Sequence, residues 1–548
     1  MRRKIALGLD FGTESVRAIL VDCNDGAMLA TASRAYPHAV MEKELAGTSV
    51  ALPPDFALQH PSDYLDCMEA VVREVIPQSG RAGSEVAGIG IDFTACTMLP
   101  VDAALEPLCL KEEFRREPHA YVKLWKHHGA NREAEEINSL ARARGETWLE
   151  RYGGTTSPEW MLAKAWETLR RAPSVYEAAD QFLEASDWVA AKLTGRVVRG
   201  ACAAGYKGMW SRRDGFVRDD FLSALDPDLK GFCLHKLRGE VAASGTRAGT
   251  LREDWSQRLG LASGVAVSPA IIDAHAAVPG CGVTRAGQMV IILGTSSCHM
   301  LLGESERSVP GIQGVVEDGI LPGFAGFEAG QAATGDLLDW LVDRILEKKG
   351  VDKSKAHHIL SEQAARIPAG GTGLLVLDWW NGNRSILVNP ELSGVIVGMT
   401  LGTTAADLYR ALIEGTAFGT VKILDNFEEH QVPVEDVFVC GGMAEKNPLL
   451  LQIYADVTGR SLRSAAAKEV CALGAAVFGA LAAGSAGGGF DRVEDAVTAM
   501  VPAGGSVIHP RSAEHKTYRA LYAHWERLHD HFGRGGHDLM PFLRALRG

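Results

Sequence analysis

The strongest constraint on how this chain can fold is a strand–turn–strand unit that occurs twice. Residues Ile5–Phe11 run into Gly12-Thr13-Glu14-Ser15 and on to Val16–Asp22. Halfway along, Met289–Leu293 run into Gly294-Thr295-Ser296-Ser297 and on to Cys298–Leu301. Each unit is an apolar strand, a turn of pattern Gly-Thr-x-Ser, and a second apolar strand. Glycine lets backbone N–H groups approach an anion closely, and Thr or Ser adds a hydroxyl donor. Such a turn can cradle a phosphate. One copy in each half implies a nucleotide held in a cleft between duplicated domains. Asp10 sharpens the first copy, because a carboxylate beside phosphate requires a cation between them; it reads as a Mg²⁺ partner, acting through water. Either unit alone reads equally well as an ordinary β-hairpin with glycine at its turn. The pairing favours the phosphate reading.

At 548 residues the chain exceeds one ordinary core, so two or more domains are expected. A hydrophobic share of 46% and a charged share of 23% are those of a soluble globular protein. The formal charge of −12 argues against a nucleic-acid partner but not against one bound nucleotide. Met1-Arg2-Arg3-Lys4 leads into strand-like sequence with no small-residue cleavage site, so no signal peptide is expected. The most apolar tract, Ala472–Ala483, is too short to span a bilayer, and no membrane partner is expected. Ten scattered cysteines without a Cys-x-x-Cys pair fit buried thiols in a reducing cytoplasm. His127-His128, His357-His358, His524, His529 and His531 lack a metal-ligand pattern and read as solvated helix faces. A homodimer is compatible with the sequence, which does not fix the oligomeric state.

Strands alternate with helices, the pattern of an α/β layered domain. Thr31–Ala35 reads as a strand, Pro37–Pro61 as a surface excursion, and Pro61–Ile76 as a helix capped by Ser62. Val86–Asp92 reads as a buried strand. Helices are expected over Arg132–Ala143, Pro158–Arg171 and Asp187–Leu193, the last stopped by Gly195. Val265–Asp273 reads as a strand, and a domain change is expected just after it, dividing the chain into 1–282 and 283–548. The second half repeats the logic. Helices are expected at Thr334–Glu347, Ala405–Phe427 and Pro448–Thr458, and the strand Val437–Cys440 runs into Gly441-Gly442. An Ala-rich helix starts at Cys471, Gly484–Gly489 is a flexible loop, and Ala513–Phe532 is a polar helix.

Neither Gly-x-x-x-x-Gly-Lys-Ser/Thr nor a complete Gly-x-Gly-x-x-Gly is present, so neither a P-loop enzyme nor a standard dinucleotide dehydrogenase is supported. Gly394-Val395-Ile396-Val397-Gly398-Met399, followed after seven residues by Asp407-Leu408-Tyr409-Arg410-Ala411-Leu412-Ile413-Glu414, matches a long and specific signature. On these residues the chain resembles the FGGY family of carbohydrate kinases along essentially its whole length. The resemblance implies two duplicated domains of the actin/hexokinase-type, ribonuclease-H-like ATPase fold. Further stretches are similar to the members acting on L-ribulose: Asp92–Thr97, Leu124–His128, Ala204–Lys207, Asp273–Ala276, Glu328–Gln331 and Asp378–Ser385. They imply ATP-dependent phosphorylation of the L-ribulose C5 hydroxyl in L-arabinose use. The nearest rivals are kinases for D-ribulose, ribitol or xylulose, and a noncatalytic nucleotide sensor on the same fold.

The resemblance also assigns roles. Asp273, at the end of an apolar strand, is implied as the general base, although an isolated Asp there reads as a helix N-cap. Lys207 and Glu328 are implied sugar contacts, with Ala95 contributing through its backbone. Lys donates and Glu accepts, so the pair can read opposite polarity along a polyol. Gly12, Thr13, Gly294 and Thr295 are implied phosphate contacts. Gly335, Gly441, Gly442 and Asn447 are implied on the adenosine side, and Asp10 on Mg²⁺.

Overall fold

The computed structural model describes residues 4–346 and 352–546. The first repeated unit opens an antiparallel meander of β1 (Ile5–Phe11), β2 (Ser15–Asp22) and β3 (Met28–Ala35). Strand β4 (Val86–Phe93) joins parallel to β1, and after β5 (Gly249–Thr250) strand β6 (Ala266–Val267) joins parallel to β4. The order is β5-β6-β4-β1-β2-β3, and β7 (Ile271–Ile272) pairs with the carboxyl end of β4. The strand expected over Val265–Asp273 is therefore two short ones, broken at Ser268-Pro269, where proline cannot donate to a ladder.

The second sheet repeats this plan. Its strands are β8 (Gln288–Leu293), β9 (Ser297–Gly303), β10 (Gly314–Glu317), β11 (Ala325–Gln331), β12 (Asp436–Cys440), β13 (Leu462–Ser464) and β14 (Val507–Ile508). They lie in the order β10-β11-β9-β8-β12-β13-β14. The meander β11-β9-β8 matches β3-β2-β1, and the parallel β12 and β13 take the places of β4 and β6. The duplicated α/β architecture expected from the sequence is the one observed. Apolar strands at both sheet centres, such as Ile5–Leu9 and Met289–Leu293, pack into separate cores.

The helices that matter for the cleft are α1 (Pro61–Gln78), α2 (Ala201–Gly208), α3 (Asp273–Gly280), α4 (Gly335–Trp340), α5 (Ala405–Glu429), α6 (Gly442–Lys446), α7 (Pro448–Thr458), α8 (Val470–Gly487) and α9 (Ser512–Arg534). Helix α8, from the second half of the chain, lies against β1, β4 and α3. The fit is backbone on backbone. A Cβ placed on Gly90 would stand 1.7 Å from Ala475 O, one on Gly88 1.9 Å from Gly479 O, and one on Gly474 1.7 Å from Ala276 O. By length and composition α8 could cross a membrane, so the apolar tract is longer than its sequence suggested. Here it packs inside the protein, with Ala472–Ala480 buried.

Several local expectations are corrected. Helix α1 starts with Pro61 at its first position, preceded by His60, so Ser62 is not the cap. The excursion before it buries Met41, Leu45, Phe56 and Leu58 in a third core and is not simply surface. The helix expected from Pro158 starts at Met161. The helix expected over Thr334–Glu347 is α4 followed by one wide turn at Leu341–Ile345; its expected end at Glu347 lies outside the described residues, as do Met1–Arg3. Gly484 breaks α8 at φ 69°, but the next residues complete a turn and are not an open loop. His127 and His529 are buried, against the expectation of solvated faces. His127 meets Glu167 at 3.0 Å, and His529 packs between Trp379 and Trp525.

The backbone contact under α8 makes a prediction. Gly90→Ala forces the helix from the sheet and should destabilise the fold by roughly 1–3 kcal/mol or more. Thermal melting with and without the substitution checks it; an unchanged midpoint would mean that the contact relaxes freely.

Candidate active site

Both Gly-Thr-x-Ser turns close as tight loops. Gly12 N–H donates to Ser15 O and Gly294 N–H to Ser296 O, each at 2.9 Å. At the α-carbons of Gly12 and Gly294 the nearest atoms a Cβ would meet stand 3.4 and 3.7 Å away. These faces are therefore open to a ligand. Thr13 is held from behind. Gln59 Nε2 donates to Thr13 O at 2.6 Å, and Trp125 Nε1 donates to Thr13 Oγ1 at 3.1 Å. An indole N–H only donates, so the Thr13 hydroxyl keeps its own hydrogen for an incoming oxygen.

The second turn has a glycine wall. Thr334 N–H donates to Thr295 O at 2.8 Å and Gly335 N–H to Gly294 O at 3.0 Å, which seats α4 on the turn. A Cβ on Gly335 would lie 2.7 Å from Gly294 O. Gly441, at φ 96°, ends β12 so close that a Cβ would lie 2.5 Å from Leu293 O, whereas Gly442 faces open space. The structure thus brings Gly294, Thr295, Gly335, Gly441 and Gly442 together. Asn447 follows α6: its Oδ1 accepts from Leu450 N–H at 3.1 Å as the cap of α7, and its Nδ2 reaches Tyr409 Oη at 3.4 Å.

Carboxylates collect beside the first Gly-Thr-x-Ser turn. Asp10 on β1 and Asp92 on β4 are register partners across the parallel pair. Burial lifts Asp10 above its ordinary range, opposed by a proton-sharing contact with Asp92 and by Arg17, whose Nη1 is 3.4 Å away. Burial, reinforced by Asp10 and Asp273, holds Asp92 well above the carboxylate range, and both its oxygens lack a donor among the described residues. Arg17 also reaches Glu469 at 2.8 Å, just ahead of α8.

Asp273 opens α3 directly after β7. Its Oδ1 accepts from the Ala274 N–H at 2.6 Å. Burial raises its pKa to about 7; the Ala274 bond and Lys207 oppose the rise, while Asp10 and Glu328 add to it. Among the described residues no cation pairs with it directly.

Lys207 on α2 and Glu328 on β11 form a buried ion pair across the two halves of the chain. Nζ lies 3.1 Å from Oε1 and 3.0 Å from Oε2. Burial works against both charges, and their mutual attraction overcomes it. Lys207 is held above its usual range, and Glu328 falls to about 2 with help from His275 and Arg384. Helix α2 is seated by close packing, since a Cβ on Gly205 would strike the Val316 side chain at 2.3 Å. Ala95 lies in the turn after β4, beside Cys96 in a left-handed conformation at φ 53°. Lys164 Nζ donates to Cys96 O at 2.6 Å and fixes that turn.

Sequence reasoning missed Asp92, Trp125, His275 and Arg384 as participants. His275 is buried, with Nε2 3.5 Å from Glu328 Oε2 and neither ring nitrogen hydrogen-bonded among the described residues. Burial keeps it neutral, with a pKa lowered to about 4. Asp92, Trp125, His275 and Arg384 all lie within stretches carrying the family resemblance, which was the available signal.

The N-terminal domain pattern of the FGGY family of carbohydrate kinases matches residues 5–280, and the C-terminal domain pattern matches residues 289–483. A ribulokinase of Geobacillus thermodenitrificans is 49% identical, covering 99% of this chain and 97% of its own. A ribulokinase of Mycolicibacterium smegmatis is 43% identical, covering 99% of this chain and 96% of its own. Among solved structures, a xylulose kinase of Rhodospirillum rubrum superposes with a TM-score of 0.77 at 25% identity, covering 96% of this chain and 98% of that one. The chain belongs to the FGGY family of carbohydrate kinases.

Proposed function

We propose that this enzyme transfers the γ-phosphoryl group of ATP to the C5 hydroxyl of L-ribulose, giving L-ribulose 5-phosphate and ADP. The observation that carries the reading is full-length similarity to ribulokinases, at identities well above that to the xylulose kinase. We place the step in L-arabinose use, in the cytoplasm, where ten free thiols are at home. We divide the chain into 1–282 and 283–548, with α8 reaching back onto the first sheet.

Phosphoryl transfer needs an aligned nucleophile, a proton acceptor and stabilised charge on the phosphoryl oxygens. Asp273 supplies the acceptor: with a pKa near 7 it is basic enough to take the hydroxyl proton and still ionised in a useful fraction. Lys207 and Glu328 orient the sugar, one donating and one accepting. The Ala95 backbone lines the same pocket. The turns at Gly12-Thr13 and Gly294-Thr295 hold phosphate oxygens, with Gly335, Gly441, Gly442 and Asn447 around the adenosine. A hard divalent cation fits at Asp10, where the neighbouring Asp92 oxygens have no donor among the described residues. We assign Mg²⁺ there, held through water, where it would neutralise charge on the β- and γ-phosphates. Closure of the cleft excludes water that could compete for the phosphoryl group.

ADP release measured over L-ribulose, D-ribulose, D-xylulose and ribitol tests the assignment: L-ribulose should give the highest kcat/KM. A clear preference for another member of the panel would replace it.

Asp273→Asn should lower kcat by roughly 10²–10⁴-fold while sugar binding remains measurable by calorimetry. Near wild-type turnover would remove Asp273 from the mechanism. The active form of a general base is the deprotonated one, so kcat/KM should rise with pH through about 7 and be lost on acidification. A flat profile between pH 5.5 and 8.5, on the scale of about one unit either side of that value, would contradict the role. Lys207→Ala and Glu328→Ala should each raise the sugar KM about tenfold to hundredfold with little change for ATP. A shift confined to the ATP KM would put the pair in the wrong part of the cleft.

A further inference from the structure

The end of β3 and the start of α1 meet at two histidines and an aspartate that the cleft chemistry does not use. His38 follows β3 by three residues, His60 precedes α1, and Asp63 lies in its first turn. The chain leaving β3 and the chain entering α1 are bridged at Met41 and Leu58, whose backbones exchange hydrogen bonds at 2.8 and 2.9 Å. His38 and His60 therefore stand side by side, their ring centroids 4.4 Å apart and their planes 26° from parallel. Asp63 grips His38 twice. Its Oδ2 accepts from the backbone N–H at 3.0 Å, and its Oδ1 lies 2.7 Å from Nδ1. A ring nitrogen of each histidine and one Asp63 oxygen fall within 4.8 Å of one another.

His60 Nδ1 is buried and has no hydrogen-bond partner among the described residues. A buried polar atom in that state costs free energy unless something completes it. Burial, and then His38, lower the affinity of the ring for a proton, against Asp63 and Asp66. The neutral imidazole is the form that ligates a metal. Asp63 is buried and His38 is exposed, so the cluster opens to water on one side. Ligand atoms bound at about 2.0–2.2 Å to one tetrahedral ion stand roughly 3.4 Å apart. The separations here bracket that value, and the exposed His38 ring has room to take up the difference.

Two imidazoles and one carboxylate suit Zn²⁺ and its first-row neighbours, whereas Mg²⁺ takes oxygen ligands. We propose that His38, His60 and Asp63 bind one divalent ion of the zinc class, with water in the open position, which clips the exit of β3 to the start of α1. The ion takes the place of the proton shared by His38 and Asp63 and gives His60 a partner. The clip lies behind the first Gly-Thr-x-Ser turn. Tyr36 N–H donates to Glu14 O at 2.9 Å, and Gln59 Nε2 donates to Thr13 O at 2.6 Å. Tyr36 is two residues from His38 and Gln59 is next to His60, so the ion joins the two points from which that turn is held. The site is independent of which acceptor the enzyme phosphorylates.

The test titrates Zn²⁺ into full-length protein stripped of metal, against a chromophoric chelator and with Mg²⁺ in excess. Wild type, His38→Gln and His60→Gln are compared, because other histidines on the surface can also take up Zn²⁺. Wild type should bind one equivalent that Mg²⁺ does not displace, and each variant should hold it more than about a hundredfold more weakly. Co²⁺ in the same place should give wild type a visible ligand-field band that both variants lack. Zn²⁺ should raise the melting midpoint of wild type and leave that of the variants unmoved. The His38 ring is exposed, so metal-free His38→Gln should melt with the metal-free wild type; if it does not, His60→Gln carries the comparison. Equal Zn²⁺ stoichiometry in all three proteins would overturn the proposal. So would an equivalent that Mg²⁺ displaces, or a Zn²⁺-dependent rise in melting that persists in the variants.

Discussion

The cleft depends on a contact between two backbones. Helix α8 can lie on β1 and β4 only because Gly8, Gly88 and Gly90 present no side chain to it. Gly8 and Gly90 are register partners, and Gly88 is two residues from Gly90, so all three share one face of the sheet. On the helix, Gly474 and Gly479 complete the fit against Ala276 and the backbone of β4. The result carries an element of the second half onto the first sheet. It also sets the start of α8 beside the cleft carboxylates: burial raises the Cys471 thiol, and Asp92, Asp10, Asp273 and Cys440 push it further. Cys440 precedes Gly441, so the two ends of the site meet around one residue. A helix N-terminus carries a partial positive charge, which suits a place where carboxylates and phosphates must coexist.

Within that frame two carboxylates of one pocket take different forms because their neighbours differ. Glu328 has Lys207 at 3.0 Å and remains a fixed anion. Asp273 has no paired cation among the described residues, is partly buried, and feels Asp10 and Glu328 as like charges, so its affinity for a proton rises. Environments that push two such groups apart separate a structural acceptor from a proton acceptor. The cost is a buried ion pair, whose desolvation its own attraction offsets only with good geometry. Lys207 meets both oxygens of Glu328, and the strand and helix that carry them are held by the close packing at Gly205. The pair joins residues 121 positions apart. Its geometry therefore reports on how the two halves are set against each other.

What was legible in the sequence was local. A Gly-Thr-x-Ser turn between apolar runs declares itself through composition, and so do Val86–Phe93 and Pro448–Thr458. Asp92 did not, because its importance is a matter of register: only the parallel pairing of β1 and β4 sets it beside Asp10. His127 gave no sign either, since Glu167 and Phe56 come to it from distant segments. His529 was readable in principle. Tyr518, Tyr522, Trp525 and His529 recur at four-, three- and four-residue intervals, the spacing of one buried helix face, and all four are buried on α9. The polar composition of the helix hid that stripe. The capping of α7 by Asn447 was likewise invisible in composition, since only the fold sets its Oδ1 against the Leu450 N–H.

The long C-terminal signature of the family lies away from the cleft side chains described above. In the signature Asp407–Glu414, Asp407 closes a reciprocal cap with Thr404 at the start of α5. Arg410 bonds Glu414 at 2.7 Å, Tyr518 Oη at 2.7 Å and Ala364 O at 3.1 Å. These contacts tie α5 to α9 and to the helix ending at Ala365, and none of those partners belongs to the sugar or phosphate groups described above. The signature therefore specifies a scaffold, which a family retains while its substrates change. Substrate choice has to be read from the side chains that the scaffold delivers to the cleft. Lys207, Glu328 and Asp273 suit any polyol that must be oriented and deprotonated. Discrimination among such polyols must come from groups beyond this trio, at the part of the pocket where acceptors of different length and oxidation state differ.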